Sequence, residues 1–104
     1  MVLMCFIKAS SEKKAIKVLS SWLMEKQQIQ YSKLTAEAYW KIDGVFVTKA
    51  TDIRQDDIHL LLDLLADHWI EIGNPVDEYI AAENDQNQTY IRDDLLMAHI
   101  YKED

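Results

Sequence analysis

The sequence is poor in the residues that shape irregular or covalently stapled proteins. Its 104 residues include two Gly, one Pro and one Cys. So few glycines leave no room for a phosphate-cradling loop, and they predict long regular elements joined by few irregular turns. Cys5 stands alone and cannot form an internal disulfide, so we expect a core thiol in a protein of the reducing cytoplasm. A chain of this length can bury a core without disulfides, and one domain is expected.

The sequence also lacks the patterns of enzyme chemistry and of membrane insertion. No apolar run approaches the length of a membrane span, and the start, Met1–Lys8, does not have the flanks of a signal peptide. The three His and the one Cys fall in no nucleophile, triad or metal-protease pattern. His59 and Asp63 are four apart on a predicted helix, but the further ligands of a metal site are missing beside them. We therefore expect a protein that is not an enzyme, with no catalytic residue, cofactor or metal.

Basic residues are scarce in the second half of the chain. Residues 51–104 carry three basic and fourteen acidic side chains, a balance of −11, whereas residues 1–50 carry eight Lys and four acids, a balance of +4. An acidic region of this kind repels nucleic acid and anionic membranes and attracts basic proteins. The charge pattern therefore predicts a protein partner, and it predicts neither nucleic-acid nor membrane binding.

The strongest local pattern is a hairpin signal at Asp43-Gly44. This pair separates two runs of alternating residues, and a two-residue loop of type I′ is typical of such a pair. A loop of that length fixes the register, so Ile42 is predicted to lie opposite Val45. The side chains predicted on the core face are Ala38, Trp40, Ile42, Val45 and Val47, and those predicted on the other face are Glu37, Tyr39, Lys41 and Phe46.

Hydrophobic spacing predicts a strand and a helix before the hairpin. The continuous apolar run Val2–Lys8 indicates a central strand that is covered on both faces. Ser10 or Ser11 is predicted to cap a helix that starts at Glu12 and ends at about Gln27, with its apolar residues in one stripe.

After the hairpin, the spacing predicts a second helix that begins after Thr51–Asp57. It is expected to run to about Ile72, where Gly73 provides a C-terminal cap. Its outer side carries an acidic stripe that also contains apolar residues. The elements predicted after it are a strand at Val76–Ala82 and a loop at Glu83–Gln88. The last segment, 90–101, fits a helix or a strand, and we expect a helix because Asp93 and Asp94 favour a helix start.

The predicted order is therefore β-α-β-β-α-β with an added C-terminal helix. Across residues 2–83 this order resembles the ferredoxin-like fold, an antiparallel sheet with both helices on one face, and 84–104 form a loop and helix within the same domain. The other sheet face would then present apolar side chains, including Tyr39 and Phe46. We expect either the C-terminal helix or a second protein to cover that face.

A small acidic α+β protein without catalytic motifs resembles the bacterial immunity proteins that neutralise colicin-like or contact-delivered toxins. The resemblance lies in size, charge and missing chemistry. It implies a cytoplasmic protein whose acidic surface covers the active site of a basic toxin domain, a nuclease, with carboxylates in the place of nucleic-acid phosphates. The residues predicted to bind the partner are Asp56, Leu60, Asp63, Asp67, Ile70, Glu71, Asp77, Glu78, Tyr79, Asp85, Tyr90, Asp93 and Asp94.

Two other functional classes fit the same pattern. One is a dimeric α+β-barrel enzyme of the small monooxygenase type, in which two ferredoxin-like sheets stack face to face. The other is a regulatory ligand-binding module of similar topology. A dimer with an interior cavity would favour the enzyme, and a monomer whose tail covers the sheet would favour the inhibitor. The sequence is compatible with either a monomer or a homodimer.

Overall fold

Residues 1–82 and 91–103 are described by a computed structural model, in which a six-stranded antiparallel sheet carries two helices. This arrangement confirms the predicted α+β class. The elements are β1 (Val2–Lys8), α1 (Glu12–Leu23), β2 (Leu34–Ala38), β3 (Val45–Ala50), a short 3₁₀ helix (Gln55–Asp57), α2 (Ile58–Leu65), β4 (Ile70–Ile72), β5 (Glu78–Ala82) and β6 (Leu95–Tyr101). Neither described helix has the length and apolar character that crossing a bilayer requires.

Strand β1 lies in the middle of the sheet. The strand order is β2-β3-β1-β6-β5-β4, and every neighbouring pair is antiparallel. Side chains of β1 alternate between the two faces. Leu3, Cys5 and Ile7 are fully buried in one core cluster with both helices, so Met4 and Phe6 point to the opposite face. The predicted central position of Val2–Lys8 is confirmed, but the predicted cover on both faces is wrong, because Met4 and Phe6 on the opposite face are partly exposed.

The predicted first helix is present as α1, and it ends at Leu23 rather than near Gln27. Ser11 caps it, because its side-chain oxygen accepts a hydrogen bond from the backbone N–H of Lys14 at 3.2 Å. The buried stripe of α1 consists of Ala15, Leu19, Trp22 and Leu23. These side chains share the core cluster with β1 and α2, which places the two helices on the same side of the sheet.

The second helix is shorter than predicted. It ends at Leu65, and the next residue is extended and pairs with Ile91. The indole N–H of Trp69 donates a hydrogen bond to the carbonyl oxygen of Leu62 at 2.9 Å, which folds the chain back along the helix. The segment Ile70–Ile72, predicted as the last helical turn, forms β4 against β5. An apolar segment this short is compatible with both the helical and the strand spacing of apolar residues. As a strand, it forms hydrogen bonds with the backbone groups along the edge of β5.

The predicted C-terminal helix is wrong. Residues Leu95–Tyr101 form β6, which pairs with β1 on one side and β5 on the other. Burial alternates along it, since Ala98 and Ile100 are fully buried and His99 between them is partly exposed. β1 has backbone hydrogen-bond donors and acceptors along both edges. β3 pairs with one edge, and β6 forms hydrogen bonds with the groups along the other. The tail is therefore a strand within the sheet and not a cover over it.

Two smaller predictions concern the chain before β6. The strand predicted at Val76–Ala82 is present as β5, with a later start at Glu78. The loop predicted at Glu83–Gln88 lies outside the described residues. The division into a core at 2–83 and a C-terminal appendage does not fit the sheet, because β6 pairs directly with the central strand.

The predicted hairpin is present, but its loop is longer than expected. β2 and β3 pair with Ala38 opposite Phe46, and residues 39–44 connect them. Gly44 has a φ of +78°, and the positive sign agrees with the prediction. The two-residue type I′ turn is wrong, because the loop takes up the residues that were expected to continue the strands. Trp40 consequently lies in the loop and is 83% exposed instead of buried in the core.

The sheet face turned away from the helices is called the open face below. The strand register aligns two rows of side chains on it, one formed by Lys49, Met4, His99, Ile80 and Ile70 and the other by Val47, Phe6, Met97 and Ala82. Val45 and Val47 belong to this face, so their predicted place on the core face is wrong, and Phe46 lies on the helix side instead. Tyr39 is on the open face as predicted, with its ring edge-to-face to that of Phe6 at 4.8 Å.

Candidate protein-binding surface

The outer side of α2 is an exposed acidic surface. The buried side chains of the helix are Ile58, Leu61, Leu64 and Leu65, and this stripe turns the intervening residues toward solvent. We define the α2 surface as Asp56, His59, Leu60, Asp63 and Asp67. Asp56 lies in the 3₁₀ helix before α2, and Asp67 follows the end of α2, so the predicted place of Asp67 on the outer stripe of the helix is wrong. The three carboxylates and His59 are exposed, and Leu60 is partly buried. The Asp56 carboxylate lies 3.6 Å from the Arg54 guanidinium, and because both groups are in water the pair contributes little to stability.

A small apolar groove adjoins the α2 surface where the end of α1 approaches α2. It encloses about 120 Å³, and Leu60 and Leu64 from α2 line it together with the buried Ile29. Lys26 and Asp63 place opposite charges at its lining. A groove of this kind can receive one apolar side chain of a partner, while the surrounding charges fix the orientation of that partner.

A larger groove lies at the N-terminal end of α2. It has a volume of about 420 Å³, and its lining includes Asp56, His59, Asp77, Tyr79 and Lys102. Three residues predicted to bind a partner, Asp56, Asp77 and Tyr79, therefore come together here. The Tyr79 side chain also packs against the core cluster, so it is a partly buried wall of the groove and not a projecting anchor.

Strands β4 and β5 separate residues that were predicted to share one surface. Side chains alternate along β4, so Ile70 lies on the open face and Glu71, opposite Tyr79, lies on the helix side. The prediction that Ile70 lies on the outer stripe of the second helix is wrong, because the helix has already ended. Glu78 also belongs to the open face, where its Oε1 is 3.0 Å from Nε2 of His99.

The remaining predicted residues follow the second sheet hairpin. Asp93 and Asp94 are exposed, but they precede β6 in a turn instead of starting a helix. The carbonyl oxygen of Asp94 accepts a hydrogen bond from the backbone N–H of Lys8 at 2.7 Å, which fixes this turn at the end of β1. Asp85 and Tyr90 lie outside the described residues.

Arg92 is an important residue that the sequence analysis missed. Its Nη1 and Nη2 groups donate hydrogen bonds to the two carboxylate oxygens of Glu25 at 2.7 and 2.9 Å, and Nη1 also donates to the carbonyl oxygen of Leu64 at 3.2 Å. The guanidinium lies 5.1 Å from the centre of the Trp22 ring. The hydrogen bonds from Arg92 lower the pKa of the Glu25 carboxyl below its usual range. The two partners are 67 residues apart, so no local sequence pattern indicates the pair.

Cys5 lies in the core, and the His59 and Asp63 pair lies on the exposed side of α2. Cys5 is fully buried, which confirms the predicted core thiol, and this burial raises the pKa of the thiol. Within residues 1–82 and 91–103, no group of three or more His, Cys, Asp or Glu side chains is placed to hold a metal ion. His59 and Asp63 are therefore exposed polar residues of the α2 surface.

No protein-family model matches the chain, and no curated protein or solved structure matches it. The role of the α2 surface is therefore inferred from its charge, exposure and shape.

The fold separates the basic and acidic parts of the sequence in space. Strands β1, β2 and β3 come from residues 1–50 and occupy one half of the sheet, and β4, β5 and β6 come from residues 51–104 and occupy the other half. Among the described residues, 51–82 and 91–103 carry eleven acidic and three basic side chains, a balance of −8, against +4 for residues 1–50, and the strands of the two parts lie in different halves of the sheet. α2 belongs to the acidic part.

Proposed function

We propose that this protein is an immunity-type inhibitor, which binds a basic toxin domain of nuclease type in the cytoplasm and covers its active site. The observation that carries the proposal is the segregation of charge: the described residues of 51–104 have a balance of −8 and residues 1–50 a balance of +4, and the strands of the two parts occupy separate halves of the sheet. A nuclease active site is basic because it binds phosphates, so an acidic protein surface competes for the same positive potential.

The α2 surface is the proposed centre of the contact. Asp63 presents an exposed carboxylate on the side of α2 that is turned away from the core, while the exposed carboxylates of Asp56 and Asp67 lie just before and just after the helix. Exposed carboxylates accelerate association by electrostatic steering, but they contribute little to residence time. Residence time would come from the apolar groove at Leu60 and Ile29, since a buried apolar anchor is typical of the strongest contacts in protein interfaces.

We also propose that β1, α1, β2, β3, α2 and β6 form a ferredoxin-like core into which the hairpin β4–β5 is inserted. The strand order β2-β3-β1-β6 supports this arrangement, since β1 is antiparallel to both of its neighbours as the fold requires. The insertion extends the acidic half of the sheet. In this arrangement α2 remains on the outside and free to meet a partner.

Each of the other two functional classes has one observation in its favour. The apolar open face favours a dimeric barrel enzyme of the monooxygenase type, in which the cavity would lie between two sheets. The groove of about 420 Å³ at His59 and Asp77 has the size of a small-ligand site and favours a regulatory module. The inhibitor is preferred because segregated charge has a direct role in binding a basic protein and no such role in the other two.

The proposal is tested by measuring association with basic nuclease toxin domains, beginning with any that a neighbouring gene encodes. Asp63→Lys reverses a charge at the centre of the α2 surface, and Asp43→Lys makes the same change in net charge in the exposed hairpin loop. We expect Asp63→Lys to lower the association rate about three- to tenfold at low salt, with a smaller effect at high salt, and Asp43→Lys to change it little. Equal effects of the two substitutions would show that the α2 surface is not the contact.

A further inference from the structure

The open face presents a continuous apolar surface. Met4, Phe6, Val47, Met97 and Ile80 form its centre, and each is partly exposed. At its rim, Ile70 is 51% exposed. Both described helices share the core cluster on the opposite side of the sheet. Monomeric proteins rarely expose an apolar patch that extends across several strands.

The size of the open face suits a protein interface. Neighbouring strands are about 4.8 Å apart, so the outer strands of this sheet are about 24 Å apart, and a strand the length of β1 extends about 23 Å. The shorter strands reduce the flat area to about 500 Å², and the relief of the side chains raises the accessible area above that value. A standard interface buries about 800 Å² on each partner. The strands of the open face therefore supply more than half of that area, and Ile42, which is 46% exposed in the loop beside Phe6 and Met97, extends the apolar surface beyond the strands.

We propose that the open face is the interface of a homodimer, in which a second copy of this chain stacks sheet on sheet. The charges on the face select the orientation. In the β1–β3 half they are Lys8, Lys49 and Glu37, a sum of +1, and in the β4–β6 half the charged residue is Glu78, a sum of −1 with His99 neutral. A two-fold axis parallel to the strands places each half over the opposite half of the other copy. An in-plane axis perpendicular to the strands would place like halves together.

This orientation predicts one specific contact between the copies. It places Lys49 over the β5 strand of the second copy, next to Glu78 of the partner subunit. Within one chain Lys49 and Glu78 lie on β3 and β5, which are three strand spacings or about 14 Å apart, so they cannot pair with each other. Any energetic coupling between them therefore reports the dimer.

The homodimer is independent of the proposed inhibitor function. The helices lie on the face opposite the interface, so each copy keeps its α2 surface exposed and the dimer presents two of them. The test of the dimer needs only the purified protein, and its failure would leave the toxin-binding proposal untouched.

Sedimentation velocity across a range of protein concentrations tests the interface. The wild type is expected to sediment at twice the protomer mass of 12.1 kDa at micromolar concentration. Met97→Lys places a charge close to the two-fold axis, where it meets its own copy, and should raise the dimer dissociation constant at least about tenfold. Met24→Lys makes the same change at a residue that is 58% exposed at the end of α1, away from the open face, and should leave the dimer intact. Circular dichroism and thermal melting verify that both variants are folded.

A charge exchange tests the orientation. Lys49→Glu and Glu78→Lys should each weaken the dimer severalfold, and the double variant should recover most of the loss because the opposite charges meet again across the interface. A wild type that stays at the mass of a single protomer at every concentration would overturn the homodimer. A dimer that Met97→Lys and Met24→Lys affect equally would also overturn it, because the contact would then lie elsewhere.

Discussion

Replacing Arg92 by Ala should destabilise the protein well beyond the effect of an ordinary surface substitution. Arg92 lies just before β6, and its side chain reaches both helices: it bonds Glu25 after α1, contacts the ring of Trp22 and donates to the carbonyl oxygen of Leu64 in α2. The substitution removes all three contacts at once. It therefore loosens the connection between the C-terminal strand and the helix layer.

The magnitude follows from the exposure of the partners. The side chains of Arg92 and Glu25 are 20% and 45% exposed, so solvent screens this ion pair and most of the loss comes from the other two contacts. The contact with the Trp22 ring contributes about 0.5–1 kcal/mol, and the hydrogen bond to Leu64 about 1 kcal/mol. We expect Arg92→Ala to lower the free energy of unfolding by about 1.5–2 kcal/mol. Arg92→Lys keeps the charge but loses the planar fork, and should cost about half as much.

Urea unfolding of Arg92→Ala, Glu25→Gln and the double variant gives the coupling between the two residues. The pH dependence provides a second test of the pair. Because the folded-state pKa of Glu25 is lowered, its contribution is complete above its unfolded pKa and is lost as the pH falls through the folded value. The coupling should therefore vanish in acid. A loss below about 0.5 kcal/mol for Arg92→Ala, or a coupling that does not change with pH, would refute the role given to this residue.

Two further substitutions test the hairpin and the core. Gly44→Val should lower the free energy of unfolding by about 1–3 kcal/mol, because Gly44 has a φ of +78°, which a valine adopts only with backbone strain. Steric overlap is not the cause, since the nearest atom to an added Cβ is 4.0 Å away. Unchanged urea unfolding of this variant would contradict the loop conformation. Trp40→Ala should change stability by less than about 0.5 kcal/mol because the side chain is exposed, whereas Trp22→Ala should cost about 3–5 kcal/mol. A large loss of stability in Trp40→Ala would mean that the Trp40 side chain is buried in the core.

Patterns that depend on neighbouring residues were predictable from the sequence. The apolar run of β1, the Ser11 cap and the stripe of α1 each specify one element, and the structure contains them. The predictions failed where the partner is distant in sequence. The sequence of the last segment is compatible with a helix or a strand. It forms a strand because its backbone groups pair with those along the free edge of β1, and the local sequence does not indicate that this edge is available. For the same reason the pair of Arg92 and Glu25 could not be found.

The candidate site was predictable to the same degree. Asp63 is exposed as predicted, because the buried stripe of α2 follows from its helical spacing, whereas Asp67 is exposed although the helix on which it was predicted has already ended. Ile70 was misplaced because the helix was extended past its end, and a change from a helical to a strand period moves a side chain to another surface. The prediction for Trp40 was wrong because the loop is longer than the Asp-Gly pair indicated. Trp40 therefore lies in the loop and not in a strand, so the predicted strand register does not apply to it.

Co-expression with a basic nuclease toxin domain, sought first among the neighbouring genes, is the most direct measurement of the proposed function. Cells that produce the toxin domain together with the wild-type protein should survive. Asp56→Lys combined with Asp63→Lys should protect measurably less, and Asp43→Lys should protect like the wild type. Complete protection by the combined variant would place the contact on another surface. Failure of the folded wild type to protect against, or to bind, any such toxin domain would contradict the inhibitor function itself.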